Sequence, residues 1–233
     1  MEEARLSKAL AAAGIASRRG AENLIFEGCV KVNGQIIKVP QTMVRLGLDD
    51  IEVHGKKLTK EQQKIYYILN KPKGFICTHR RPGSKKIIYD LFPQENRRLF
   101  SIGRLDRETT GLLILTNDGA FANQVIHPSQ NIKKEYLVKT REFITDEHLK
   151  RIGKGALVEG KWVRPVSIKK VRKGTLKIIV KEGRKREVRT LVEKADLQIL
   201  ELHRIRIGSL LLGNLPVGQY RKMTEEDKQL IFT

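Results

Sequence analysis

The sequence predicts an α+β protein in two parts, a small module over residues 1–60 and a larger domain over residues 64–233. Three observations carry that expectation. Near the N-terminus, apolar residues recur at helical spacing in two short stretches, and a tight-hairpin signal follows. Beyond residue 64, several short apolar runs are bounded by Gly- and Pro-containing bends, as buried strands are. Polar caps announce helices between those runs, and a chain of 233 residues suits one large or two small domains.

In the module, Leu6, Leu10 and Ala13 share a helical face that Gly14 can close. Ser17 is placed to cap a second helix, which Arg18 and Arg19 open and in which Ala21, Leu24 and Ile25 form the apolar stripe up to Gly28. Val30-Lys31-Val32, Asn33-Gly34 and Gln35-Ile36-Ile37 read as a hairpin, because Asn-Gly favours the type I′ turn. A short strand at Ile51-Glu52-Val53 leads into a polar segment over 56–63.

In the larger domain, Tyr66-Tyr67-Ile68-Leu69 is a strand ended by Asn70-Lys71-Pro72-Lys73-Gly74, and residues 79–86 form a basic loop. Leu99–Ile102 and Leu112–Leu115 are two buried strands joined by a bend that carries Asp106 and then Thr109-Thr110-Gly111. A helix is expected from Thr116–Gly119 through Phe121, Val125 and Ile126, then a strand over 133–138 with Tyr136. Thr145 caps a helix over 145–152, and Trp162 and Val166 precede a strand at Leu176–Val180. Residues 182–191 suggest a loop entering a helix. Leu202, Ile205 and Ile207 supply apolar packing, with Arg204 and Arg206 interleaved as in a half-buried strand. A partly acidic helix near Thr224–Leu230 closes the chain.

Forty-six Lys and Arg against 26 Asp and Glu leave a net charge of +20, which points to a polyanionic partner. The module carries ten basic and seven acidic residues, so most of the excess lies in the larger domain. Residues 169–189 alone hold ten Lys/Arg and two acids, a block suited to a phosphate backbone. Cys29 and Cys77 have no paired spacing, and the five histidines form no ligand set, so neither a disulfide nor a metal site is expected. No apolar stretch is long enough to span a bilayer, and a cytoplasmic location without membrane association is expected.

A lone Asp in a bend is usually a turn residue. Here the whole pattern Gly103-Arg104-Leu105-Asp106-Arg107-Glu108-Thr109-Thr110-Gly111-Leu112-Leu113 resembles the motif around the nucleophilic aspartate of the pseudouridine synthases. Four further stretches agree in order: Lys71-Pro72-Lys73-Gly74, Lys134-Glu135-Tyr136, Gly183–Arg189, and residues 4–53. The last resembles the RNA-binding domain named after ribosomal small-subunit protein four. Together they identify the chain as similar to the ribosomal RNA synthases of the RsuA/RluB group.

The resemblance implies a mixed, mainly antiparallel catalytic sheet flanked by helices, with an active cleft across it. It implies isomerisation of a uridine in ribosomal RNA, flipped from its stack, with Asp106 as nucleophile and with no metal or organic cofactor. Arg189 would pair with Asp106, whose charge burial opposes, and Tyr136 would stack on the uracil and assist proton removal at carbon five. Arg18, Arg19, Lys71, Arg104, Arg184, Lys185 and Arg186 become candidate RNA contacts, Lys71 also as a support of the site, with Lys8 and Lys31 as weaker ones. Glu187 stands where many members carry glutamine, and a glutamate against phosphates is unfavourable. Residues 73–78 and 186–189 favour large-subunit over small-subunit RNA as target, acted on by a monomer. Two rivals are an RNA-binding assembly protein without catalysis and a glycosidase using Asp106 with Glu108.

Overall fold

The Asn33-Gly34 hairpin is present: both residues have positive φ, 51° and 82°, as a type I′ turn requires. It belongs to the first of two units in a computed structural model that describes residues 3–58 and 62–233. This unit comprises residues 1–65 with short returns at 96–98 and 117–119. Its elements are β1 (Ala4–Arg5), α1 (Leu6–Ala12), α2 (Arg18–Phe26), β2 (Val30–Val32), β3 (Gln35–Ile36), β4 (Met43–Val44), β5 (Ile51–Val53) and β6 (Lys56–Lys57). Strands pair in the order β3-β2-β5-β6, and β1 pairs with β4.

The helices stop where their glycines allow it. Gly14 N–H donates to Ala11 O (3.0 Å) and Ile15 N–H to Leu10 O (3.1 Å), closing α1 with Gly14 at φ 79°. Ser17 Oγ accepts from Gly20 N–H at 3.0 Å and so caps α2. The apolar faces of both helices meet the sheet in one core that includes Leu6, Leu10, Ala21, Ile25, Val30 and Ile51. The expected polar segment over 56–63 opens with β6; residues 59–61 of it lie outside the described residues.

The second unit comprises Tyr66–Glu95, Leu99–Thr116 and Ala120–Thr233. Its strands are β7 (Tyr66–Lys71), β8 (Phe100–Ile102), β9 (Thr110–Thr116), β10 (Lys134–Thr140), β11 (Ala156–Val158), β12 (Lys161–Val163), β13 (Ser167–Arg172), β14 (Thr175–Val180), β15 (Ile199–Ile207), β16 (Leu210–Leu211) and β17 (Tyr220–Lys222). The helices are α3 (Gly119–Ile126), α4 (Asp146–Lys154), α5 (Glu187–Glu193) and α6 (Glu225–Leu230). Nine strands form one sheet in the order β13-β14-β10-β15-β9-β7-β17, with β16 on β15 and β8 on β9. Every pairing in it is antiparallel except β9 with β15.

β9 is buried from Gly111 to Thr116, so both of its faces are covered and its near-continuous apolar run is explained. Ile68, Leu112 and Ile114 pack with Phe121, Ala122 and Val125 of α3 in the main core. The parallel junction is tight. A Cβ on Gly111 would stand 2.2 Å from the backbone oxygen of Arg204, and Gly111 has φ 104°, so only glycine fits.

Two expectations need correction. β11, β12 and β13 were not anticipated: β13, Ser-Ile-Lys-Lys-Val-Arg, is an exposed edge strand and lacks the apolar alternation that marks a half-buried one. In β15 the interleaved reading fails. The pairing steps from Glu135 opposite Arg206 to Tyr136 opposite Arg204, so Ile205 is the extra residue of a bulge. Arg204 is buried at 4% exposure, whereas Ile205 is only half-buried.

Candidate active site

Asp106 sits in the bend between β8 and β9, and Thr109 N–H donates to its backbone oxygen at 3.0 Å. The bend is a turn, yet the carboxylate is not spent on it. Its side chain is 35% exposed and opens on a cleft of about 810 Å³, lined also by Tyr136 and Arg189. Arg189 projects from α5, placing Nε 3.7 Å from Asp106 Oδ2, and donates through Nη2 to Thr109 Oγ1 at 3.2 Å. Arg189 Nε has no hydrogen-bond partner, so the pair is in ionic contact but not hydrogen-bonded. The largely buried guanidinium thus faces the carboxylate as an opposite charge at close range.

Tyr136 is contributed by the middle of β10 and is 8% exposed. Aspartate, tyrosine and arginine, separated by thirty and fifty-three positions in the sequence, thus converge on one cleft. Glu108, the partner a glycosidase would need, lies outside the cleft lining and faces Lys73 at 3.3 Å and Arg107.

The expected RNA contacts divide. Arg104, Arg184, Lys185 and Arg186 all line the cleft, where basic side chains outnumber acidic ones. Arg184 is held by Glu182, and Arg186 reaches Glu193 at 3.3 Å. Arg18, Arg19, Lys8 and Lys31 are exposed on the first unit. The basic block over 169–189 is not one surface: Lys169, Lys170 and Arg172 lie on the outer strand β13, while Lys181–Arg189 border the cleft.

Lys71 is a correction. As a direct RNA contact it fails, because it is fully buried. Its Nζ donates to the backbone oxygens of Thr109 (2.8 Å), Pro72 (3.0 Å) and, at a long 3.4 Å, Arg107. Burial pulls its pKa down to about 8, against the opposing influence of Cys77, Glu108 and Asp106. The lysine thus ties the start of the Lys-Pro turn to the segment just after Asp106. Glu187 is likewise turned inward: its carboxylate accepts from Arg184 N–H at 3.1 Å, and burial pushes its pKa up. It shapes the loop that feeds α5.

Sequence reasoning missed Arg204 and Lys134 as parts of this site. Both line the cleft, and Lys134 has its pKa lowered by burial. Lys134 belonged to the quoted Lys-x-Tyr stretch, but nothing in the pattern around Arg204 separated it from a solvent-facing strand residue.

Known proteins show the same organisation. The family model for RNA pseudouridylate synthase matches residues 65–194 and that for the S4 domain matches residues 4–50. The chain belongs to the RNA pseudouridylate synthase family. Ribosomal large subunit pseudouridine synthase B of Bacillus subtilis is 37% identical to this synthase across 96% of the chain and 93% of the relative. An uncharacterized RNA pseudouridine synthase of Aquifex aeolicus is 40% identical across 100% and 95%. A chloroplastic Arabidopsis thaliana protein that carries the name of a ribosomal large subunit pseudouridine synthase is 41% identical; the chain spans 59% of its length. The crystal structure of a pseudouridylate synthase superposes with a TM-score of 0.71 at 28% identity, over 98% of this chain and 99% of that one. The S4-type first unit and the mixed, mainly antiparallel sheet of the second are therefore those of an isomerase family that acts on RNA. No described helix is long and apolar enough to cross a membrane.

Proposed function

We propose that this synthase converts a uridine of ribosomal RNA, in the large subunit, to pseudouridine, with Asp106 as nucleophile on a flipped-out nucleotide. The observation that supports this reading is the meeting of Asp106, Arg189 and Tyr136 in one basic cleft. The N1–C1′ bond breaks and a C5–C1′ bond forms; the proton on C5 is lost and N1 gains one, so the RNA keeps its mass. Asp106 attacks the reacting nucleoside, Arg189 holds its carboxylate in place, and Tyr136 stacks on the freed uracil and assists departure of the C5 proton. A stacked base hides these atoms, so the nucleotide must leave the helix to enter the cleft.

Arg104, Arg184, Lys185 and Arg186 are assigned to the RNA strand at the cleft. Residues 1–60 are assigned as a separate RNA-binding domain and residues 64–233 as the catalytic domain. Arg18 and Arg19 open α2, where two cations oppose the helix dipole; an incoming phosphate relieves that arrangement. The enzyme is taken to act as a monomer, in the cytoplasm and without metal.

Tritium release from ribosomal RNA labelled at uracil carbon five tests the reading. Wild type should release tritium from large-subunit RNA and yield pseudouridine at one mapped position. Asp106→Ala should bind the same RNA with unchanged affinity and release none. Binding by wild type without release from any ribosomal RNA favours the assembly-protein reading, and release of free uracil favours a hydrolase.

A further inference from the structure

We propose that Arg204 is a positioning residue for Tyr136, fixing the polarity of its phenol so that the hydroxyl proton is presented to the cleft. The proposal rests on the role given to Tyr136 above. The β15 bulge is the starting point. Without it, Ile205 would stand opposite Tyr136 and Arg204 would face the other side of the sheet; the extra residue turns the guanidinium inward.

Arg204 Nε donates to Leu112 O at 2.7 Å, which anchors the side chain to the neighbouring strand β9. Its Nη1 lies 3.5 Å from Tyr136 Oη. Guanidinium groups only donate, so the phenolic oxygen must be the acceptor in that contact. The hydroxyl proton therefore points elsewhere, and no other partner takes it among the described residues. Tyr136 lines the cleft, so the open direction is toward the substrate. The phenol rests as a donor suited to the uracil carbonyl beside C5, where donation stabilises the enolate left as the C5 proton departs, and the long contact below it can tighten when the base arrives.

The energetics point away from a purely structural arginine. Arg204 has no carboxylate partner among the described residues, and its Nη2 is buried without a hydrogen bond. Leu202 and Ile207, buried on the same face, show what packs there readily. An under-bonded buried cation is less stable than such a neighbour.

The test measures kcat and KM for tritium release with Arg204→Met, Arg204→Lys, Tyr136→Phe and the Met/Phe double variant. Arg204→Met should lower kcat at least ~tenfold with KM for RNA within ~twofold, and Arg204→Lys should recover part of the loss. The double variant should be no slower than Tyr136→Phe alone. Losses that multiply, or a raised KM at unchanged kcat, overturn the proposal. If Arg204→Met does not fold, or wild type proves inactive, nitrogen-15 NMR of the arginine side chains decides. Slowly exchanging Nη protons that vanish in Tyr136→Phe support the contact, and an unchanged arginine spectrum overturns it. Inactive wild type sinks the assigned reaction; a multiplicative cycle in active enzyme sinks only this inference.

Discussion

Lys71 shows how one buried charge can organise a reactive loop. In the unfolded chain its amine has the ordinary lysine value of 10.5; in the fold, burial brings it to about 8. Between those values the unfolded chain binds more protons, so this group's contribution to stability rises with pH from about 8 to 10.5. Lys71→Met should flatten the rise in urea midpoints measured across the window, leaving the part that the buried Lys134 contributes. It should also lower kcat, because the backbone oxygens of Thr109 and Pro72 lose their donor. Gly111→Ala is the harsher change: positive φ and a clash with Arg204 backbone together should cost upwards of ~3 kcal/mol, read as a lowered thermal midpoint. At this scale the sequence was legible in part. Asp106, Tyr136 and Arg189 stand in stretches whose residue types and order were informative. The inward course of Lys71 was not, since a Lys-Pro turn reads the same whether its amine meets water or three carbonyls. Arg204 was misread because a bulge breaks the two-residue period on which facing is judged.

Among the elements, the helix ends were the most legible, because capping is local chemistry. Ser17, Thr145 and Thr224 each accept a hydrogen bond from the first turn of the helix they precede. Ser17→Ala should cost about 1 kcal/mol in unfolding free energy. At the end of the chain, Asp227 joins α6 to β17: Arg221 Nη2 donates to Oδ1 at 2.9 Å and Thr224 N–H to Oδ2 at 2.8 Å. The Arg221 hydrogen bond is the main reason its carboxyl falls to about 2 from 3.8. Its stabilisation is present above pH 3.8 and lost as pH falls toward about 2. Asp227→Asn should therefore lose stability at neutral pH and show a shallower decline between those values in an acid titration followed by circular dichroism. Exposed strands were the least legible elements. β13 has a single sheet neighbour and mostly solvent-facing side chains, so hydrophobic alternation had nothing to record.

For the molecule as a whole, charge was the most direct guide. A net +20 predicts RNA binding that weakens steeply with salt. Replacing Arg18 and Arg19 together by Ala should reduce the log–log salt slope by roughly 1 to 2, with kcat unchanged, in fluorescence titrations against a ribosomal RNA fragment. The two-part organisation was visible in the change from helix-and-hairpin patterning to successive apolar runs. Strand order was not, because pairing partners such as β9 and β15 are some ninety residues apart and no local pattern records which run lies beside which. The position of β13 at the margin of the sheet carries one more effect. Its unused N–H and C=O groups are a template on which a strand of another copy can assemble. Lys169, Lys170 and Arg172 stud that margin with like charge, so two molecules approaching side by side repel each other. Cations that resemble a nucleic-acid grip in the sequence thereby guard colloidal stability, and neutralising them should yield aggregates before it weakens any hold on RNA.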